Sequence, residues 1–170
     1  LVGSTLARNG SSTAQVFIRN VGVEASKGAA PTVSACTLVD GPSAGVLIQS
    51  SDAIVSGCTI QNSTTVGVSL LNASGVISGC TVWRNGSAGL YSAGTSDVTL
   101  NACSLIENGQ TSSTYREIGV DGATALRLNA CVLKARTGAV STIRTGAAVP
   151  AGTVMVSGGA VSSGGASATL

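Results

Sequence analysis

Aliphatic residues recur along this chain in a fixed frame. Val33, Val55, Ile77, Leu100 and Leu128 each stand three residues before a cysteine, and Leu38, Ile60, Val82, Leu105 and Leu133 stand two residues after one. Thr37, Thr59, Thr81 and Ser104 fill the alternate places. That is the period-two pattern of short, half-buried strands, and no stretch carries a helical period. The cysteines fall at 36, 58, 80, 103 and 131, so their spacings are 22, 22, 23 and 28. A second column runs in step: Gly22, Gly45, Gly67, Gly89 and Gly119, each followed by Val or Leu, precede the next cysteine by 12 to 14 residues. Two further copies lack the cysteine, with Ser4 and Gly159 in its place. Seven copies of one unit therefore account for nearly the whole chain.

A 22-residue unit of two or three short strands separated by Gly, Ser, Asn and Asp is long enough, at ~3.3 Å per residue, for one three-sided turn of chain. Stacked turns pair each strand with its equivalent about 4.8 Å along the axis, so like residues sit on like. Leucine-rich repeats of similar period need several leucines and a fixed Asn per unit. The expected fold is all-β: a right-handed, single-stranded parallel β-helix of about seven rungs. Residues 1–170 form one such segment, with an insertion at 110–118 in the swollen fourth interval and a Gly/Ser-rich tail at 162–170.

Parity places each cysteine on the inner face with the aliphatic residue two positions later. Cys36, Cys58, Cys80, Cys103 and Cys131 are thus expected as a ladder of unpaired core thiols, behaving as small hydrophobes. Neither CxxC spacing nor histidine is present to build a zinc site, and no metal or cofactor is expected. Persistent free thiols suit a reducing compartment such as a cytoplasm. Asn9, Asn85 and Asn108 lie five residues after the ladder position, each before a glycine, while Asp40 and Asn62 lie at the fourth. These residues mark a turn that needs left-handed backbone angles.

Composition narrows the chemistry. The chain is 44% hydrophobic and only 9% charged, the opposite of a disordered sequence, although Gly, Ser and Thr make up 65 of its 170 residues. The absence of histidine removes the Ser-His-Asp triad and histidine bases. A net charge of +2 offers no field for nucleic acid, and no apolar run is long enough for membrane insertion. With Leu rather than Met first and no charged-then-apolar leader, the sequence reads as a slice of a longer protein.

The pattern aliphatic-x-x-Cys-Thr-aliphatic-x-x-Asn-Gly, as in Ile77 to Gly86, resembles the right-handed β-helix repeats of the pectate-lyase-like superfamily over essentially the whole chain. The resemblance implies a scaffold used by pectate and pectin lyases, polygalacturonases, polysaccharide epimerases and phage tail spikes or fibres. It is most like a tail-spike or tail-fibre segment, and such spikes imply a homotrimer or neighbouring tail proteins as partners. The lyase and hydrolase motifs cannot be placed on this chain residue by residue, so no catalytic set is assigned. Asp52, Asp97, Glu117 and Asp121 are the weak catalytic candidates. Asp52 and Asp97 each lie six residues before a cysteine, two rungs apart, with Ser74 between them in the column. That separation of roughly 10 Å is at the wide edge of the window for inverting glycosidases.

The recognition candidates are Trp83, Tyr115, Arg116 and Glu117. Insertions in solenoids become surface loops that build binding faces, and the 110–118 insertion brings three of these four together. Arg can hold carboxylate or phosphate on a glycan, and Tyr can stack on a sugar ring. Trp83 points outward by parity, in a column with Gln61, Ile106 and Lys134. The resulting expectation is a structural and receptor-recognition segment of a virion tail, assembled in the host cytoplasm and binding cell-surface polysaccharide outside it. The alternatives are a polysaccharide lyase or glycoside hydrolase on the same fold, a secreted or cell-surface adhesin, and an ice-binding solenoid presenting the threonine row.

Overall fold

The structure, a computed structural model, describes residues 1–8, 14–19, 30–111, 116–137, 142–146, 149–150 and 154–164. Every strand pairs in parallel with its equivalent one rung away, and the strands fall into three faces. Face A holds Thr32–Ser34, Asp52–Ser56, Ser74–Ser78 and Asp97–Asn101. Face B holds Thr5–Ala7, Thr37–Val39, Thr59–Gln61, Thr81–Trp83 and Ser104–Ile106. The long strand Ala125–Thr137 serves both faces in turn, pairing first with Asp97–Asn101 and then with Ser104–Ile106. Face C holds Ala14–Arg19, Ala44–Gln49, Val66–Leu71, Ala88–Ala93, Arg116–Val120 and Ile143–Thr145. The chain runs A to B to C in each rung.

The interval between cysteines is therefore a physical rung. Thr37, Thr59, Thr81 and Ser104 stand in one register column, and the two end copies fall where the sequence puts them: Thr5 pairs with Thr37, and Cys131 with Gly159. The last strand, Val154–Gly164, reaches into the first residues of the Gly/Ser-rich tail.

Each corner is turned by a residue with a left-handed backbone. Between A and B it is a single residue: Ala35, Gly57, Gly79, Ala102 and Ala130, with φ of 50–59°. An L-residue costs about 1–2 kcal/mol in this conformation. The cost is offset because the corner amide continues the inter-rung ladder, as Ala102 N donating to Asn129 O at 2.8 Å shows. Between B and C the left-handed residues at the fourth position are Arg8, Asp40, Asn62, Arg84 and Glu107. This corrects the turn reading in one respect. The bend sits at the fourth position after the ladder, one residue before Asn85 and Asn108, whose own φ values are negative.

The core is an aliphatic column on each inner face. Leu38, Ile60, Leu105 and Leu133 of face B, Val55, Ile77, Leu100 and Leu128 of face A, and Val46, Val68, Leu90 and Ile118 of face C are all buried. Each full burial of such a side chain contributes about 1.5–3 kcal/mol. The five thiols are free and buried beside them. They do more than fill space. The Cys36 amide donates to Cys58 Sγ at 3.5 Å and the Cys58 amide to Cys80 Sγ at 3.4 Å. The Cys80, Cys103 and Cys131 thiols donate to the carbonyls of Val55, Ile77 and Leu100, at 3.6, 3.3 and 3.5 Å. A thiol is small enough for the inside of a one-residue corner and polar enough to satisfy its backbone groups. Contact with the Cys103 thiol, together with burial, holds Cys80 and Cys131 above the usual thiol range.

Native protein should accordingly resist an aqueous thiol reagent, and the denatured chain should consume close to five equivalents. Rapid labelling of the folded chain, or paired disulfides, would contradict the ladder.

Candidate functional site

The corner between faces B and C holds a buried polar stack. Ser63 N donates to Asn85 Oδ1 at 2.9 Å, and Asn85 N and Nδ2 donate to Asn108 Oδ1 at 3.1 and 2.9 Å. Asn108 N and Nδ2 then donate to Glu117 Oε1 and Oε2 at 3.0 and 2.5 Å. Both asparagines and Glu117 are 0% exposed. Burial pushes the Glu117 carboxyl up to about 7 against the two bonds from Asn108, with the Glu107 charge adding to the rise.

Two sequence expectations change here. Glu117 is no loop residue: Arg116–Val120 is a strand of face C, and the Glu117 carboxylate lies inside, where neither glycan nor substrate reaches it. The glycine column is also different at both ends. Register pairs Val16 with Val46 and Leu90 with Ile118, which puts Gln15 and Glu117 in line with Gly45, Gly67 and Gly89. Gly22 lies outside the described residues, and Gly119 pairs with Tyr91 on the outer side of face C. The three central glycines leave room for the stack. A Cβ at Gly67 would sit 2.4 Å from Val82 Cγ1 and 2.9 Å from Asn85 Nδ2. Gln15 works at the opposite end, donating to Leu6 O and Val39 O where Gly41 supplies no side chain.

The outer side of face A carries a groove of about 360 Å³. Asp52, Ser74 and Asp97 form its rim, one per rung, in the register expected from their cysteine offsets. Ile54 and Val76 form the floor and are 37% and 42% exposed, and Arg127 closes one end in an ion pair with Asp97. A hydroxyl-lined depression of about 380 Å³ adjoins it through Asp52 and Ser74. Arg127 was absent from the sequence candidates. Rung arithmetic alone finds it, because Thr99 pairs with Arg127 as Asp97 pairs with Ala125.

The remaining candidates lie elsewhere. Trp83 is half-buried on face B between Gln61 and Ile106, as parity requires, and the Arg84 guanidinium sits 5.0 Å from its ring centroid. Arg84 also pairs with Glu107, which meets Lys134 at 3.9 Å, so the lone tryptophan is bordered by an exposed ionic chain. Asp121, at the end of a face C strand, accepts a 2.8 Å hydrogen bond from Tyr91 Oη, a residue sequence reading passed over. Tyr115 and the side chain of Arg116 lie outside the described residues. The structure thus separates the five candidates whose side chains it describes: Asp52 and Asp97 share the face A groove, Trp83 is on face B, Asp121 borders face C and Glu117 is interior. Among the described residues no three His, Cys, Asp or Glu side chains are grouped to hold a metal ion.

A family model described as "Right handed beta helix region" matches residues 4–148. No curated protein matches. Among solved structures, the A-module of a mannuronan C-5 epimerase from Azotobacter vinelandii superimposes with a TM-score of 0.69 at 11% sequence identity. The superposition covers 95% of this chain and 51% of that one, so the chain spans about half the length of its structural neighbour.

Proposed function

Because the chain belongs to the right-handed β-helix family, we propose that it recognises polysaccharide, with the face A groove as the binding surface. The observation that supports this reading is the groove itself. It is open, and the carboxylates and hydroxyls of Asp52, Ser74 and Asp97 line it together with the apolar Ile54 and Val76. Sugars present both kinds of surface, hydroxyls at the rim of the ring and C–H groups on its faces. Carboxylates and serines accept and donate to the first, while Ile54 and Val76 cover the second. Trp83 on the adjoining face is an accessory contact in this proposal, since aromatic rings stack well on sugar faces. The setting we propose is a virion tail spike or fibre, on the grounds of its reduced thiols and weak surface charge. The epimerase that shares its fold acts on mannuronan, and likeness at 11% identity carries the fold alone.

Recognition without cleavage has a direct test. Incubated with a panel of bacterial surface polysaccharides, the chain should be retained on at least one and release neither reducing ends nor unsaturated products. Trp83→Ala should weaken retention a few-fold. Release of shortened or unsaturated products would establish a depolymerase, and the failure of every polymer to retain the chain would remove the proposal.

A further inference from the structure

We propose that face B is where two copies of this chain meet, packed with their solenoid axes antiparallel about a two-fold axis beside Gln61 and Asn62. Two outward rows carry the argument. The first is the row at the B–C corner: Arg8, Asp40, Asn62, Arg84 and Glu107, one per rung, whose backbone amides each donate to the next rung. Along the axis its signs run plus, minus, neutral, plus, minus. Turned end for end about Asn62, the row meets its own opposite. Arg8 faces the partner's Glu107, Asp40 faces the partner's Arg84, and Asn62 faces itself. Moving the centre by half a rung one way sets Arg8 against the partner's Arg84, and the other way sets Asp40 against the partner's Glu107.

The second row is Ala7, Val39, Gln61, Trp83 and Ile106, in register beside the first. It is matched by size about the same centre. Ala7 meets Ile106, Val39 meets Trp83, and Gln61 meets its own copy, whose amide both donates and accepts. Small side chains thus stand opposite large ones, and the half-buried Trp83 is covered. Charge sign and side-chain size are independent features of the sequence, and both put the axis in the same rung.

Within one chain, Arg8 pairs with Asp40 at 3.5 Å and Arg84 with Glu107 at 3.4 Å, all at the surface, where such pairs contribute little. A second row of opposite sign gives each charge a further partner and penalises every other register. The contact is isologous and closes at two copies. Strands of three residues make a narrow face, so the pair is reversible and dissociates in the micromolar range. The contact is separate from the face A groove. The two share only Trp83, whose accessory role then belongs to the unpaired chain.

Sedimentation equilibrium of the whole chain, from micromolar to near-millimolar concentration, should show the mass rising from one chain to two. Emission of the lone Trp83 should move to shorter wavelength in step. Asp40→Arg and Arg84→Glu should each weaken pairing ten-fold or more, yet an equimolar mixture of the two should pair as wild type does, because each new charge then faces its opposite. Thiol protection serves as the check that these variants are folded. The native thiols are buried, so an introduced cysteine is the one that a short bis-maleimide reaches. Gln61→Cys should be joined to its own copy, and Ala7→Cys should not. A chain that stays monomeric throughout overturns the proposal. A trimer, or Ala7→Cys joined to its own copy, overturns the antiparallel two-fold, and charge variants that pair like wild type move the contact off face B.

Discussion

Asn108→Ala is expected to destabilise the protein by about 3–5 kcal/mol, which for a chain of this size lowers Tm by on the order of 10 °C. The size of the effect comes from what the substitution leaves behind. Asn108 Oδ1 is the acceptor for both Asn85 N and Asn85 Nδ2, and Asn108 Nδ2 serves Val82 O as well as Glu117. Its removal orphans the Asn85 amide and takes one partner each from Asn85 Nδ2, which keeps Ile60 O and Trp83 O, from Val82 O, and from a carboxyl group that has no access to water. Each buried polar group left unpaired costs about 1–3 kcal/mol, and a charged one costs more. Asn101 provides the comparison. It meets Asn129 at 2.9 Å on the partly exposed outer side of face A, so Asn101→Ala should cost within about 1 kcal/mol. Urea denaturation of the two variants side by side measures the difference, and equal losses would contradict the buried stack.

The second large effect is a pH dependence. In the folded chain Glu117 keeps its proton up to about pH 7, while in the unfolded chain it titrates near its ordinary value of 4.5. Between these values the native state holds the extra proton, so stability is greatest below about pH 4.5 and falls as pH rises to 7. The difference is worth about 3 kcal/mol at neutral pH, since each pKa unit corresponds to about 1.4 kcal/mol. The sequence contains no histidine, which leaves this window free of the side chain that ordinarily titrates there. Wild-type stability measured from pH 4.5 to 7.5 should therefore decline, and the profile of Glu117→Gln should be nearly flat. A Gln variant that retains the slope would place its origin elsewhere.

These two residues also show where sequence reading stopped. The rung period, faces A and B, the thiol ladder and the outward Trp83 column were legible, because a parallel ladder repeats residue type with residue position. Face C was legible only in its middle. There the rule is spatial: any residue in the glycine column must leave room for, or supply, a polar group at the B–C corner. Gln15 and Glu117 satisfy that rule with side chains unlike glycine, and the extra residues before Glu117 leave Gly119 out of the column. The face A groove was half legible. Asp52 and Asp97 share an offset from their cysteines, whereas Arg127 stands in the neighbouring row, four residues before Cys131, and its side chain crosses to Asp97, which the offset does not show.

The polar stack has a direction. The bonds that link one member to the next are all given toward the C-terminal end of the solenoid, from Ser63 to Asn85, then to Asn108 and finally to Glu117. An asparagine both receives and passes on, so a row of them can be extended by one unit at any interior point without changing its ends. The Glu117 carboxyl, once ionised above about pH 7, only receives. Glu117 thus acts as a chain terminator does in a polymerisation, closing a series that would otherwise accept another member, while Gln15 finishes the opposite end with its own donor. The number of turns sharing this seam is written into the chemistry of two side chains, and growth of the repeat by duplication has room only between them.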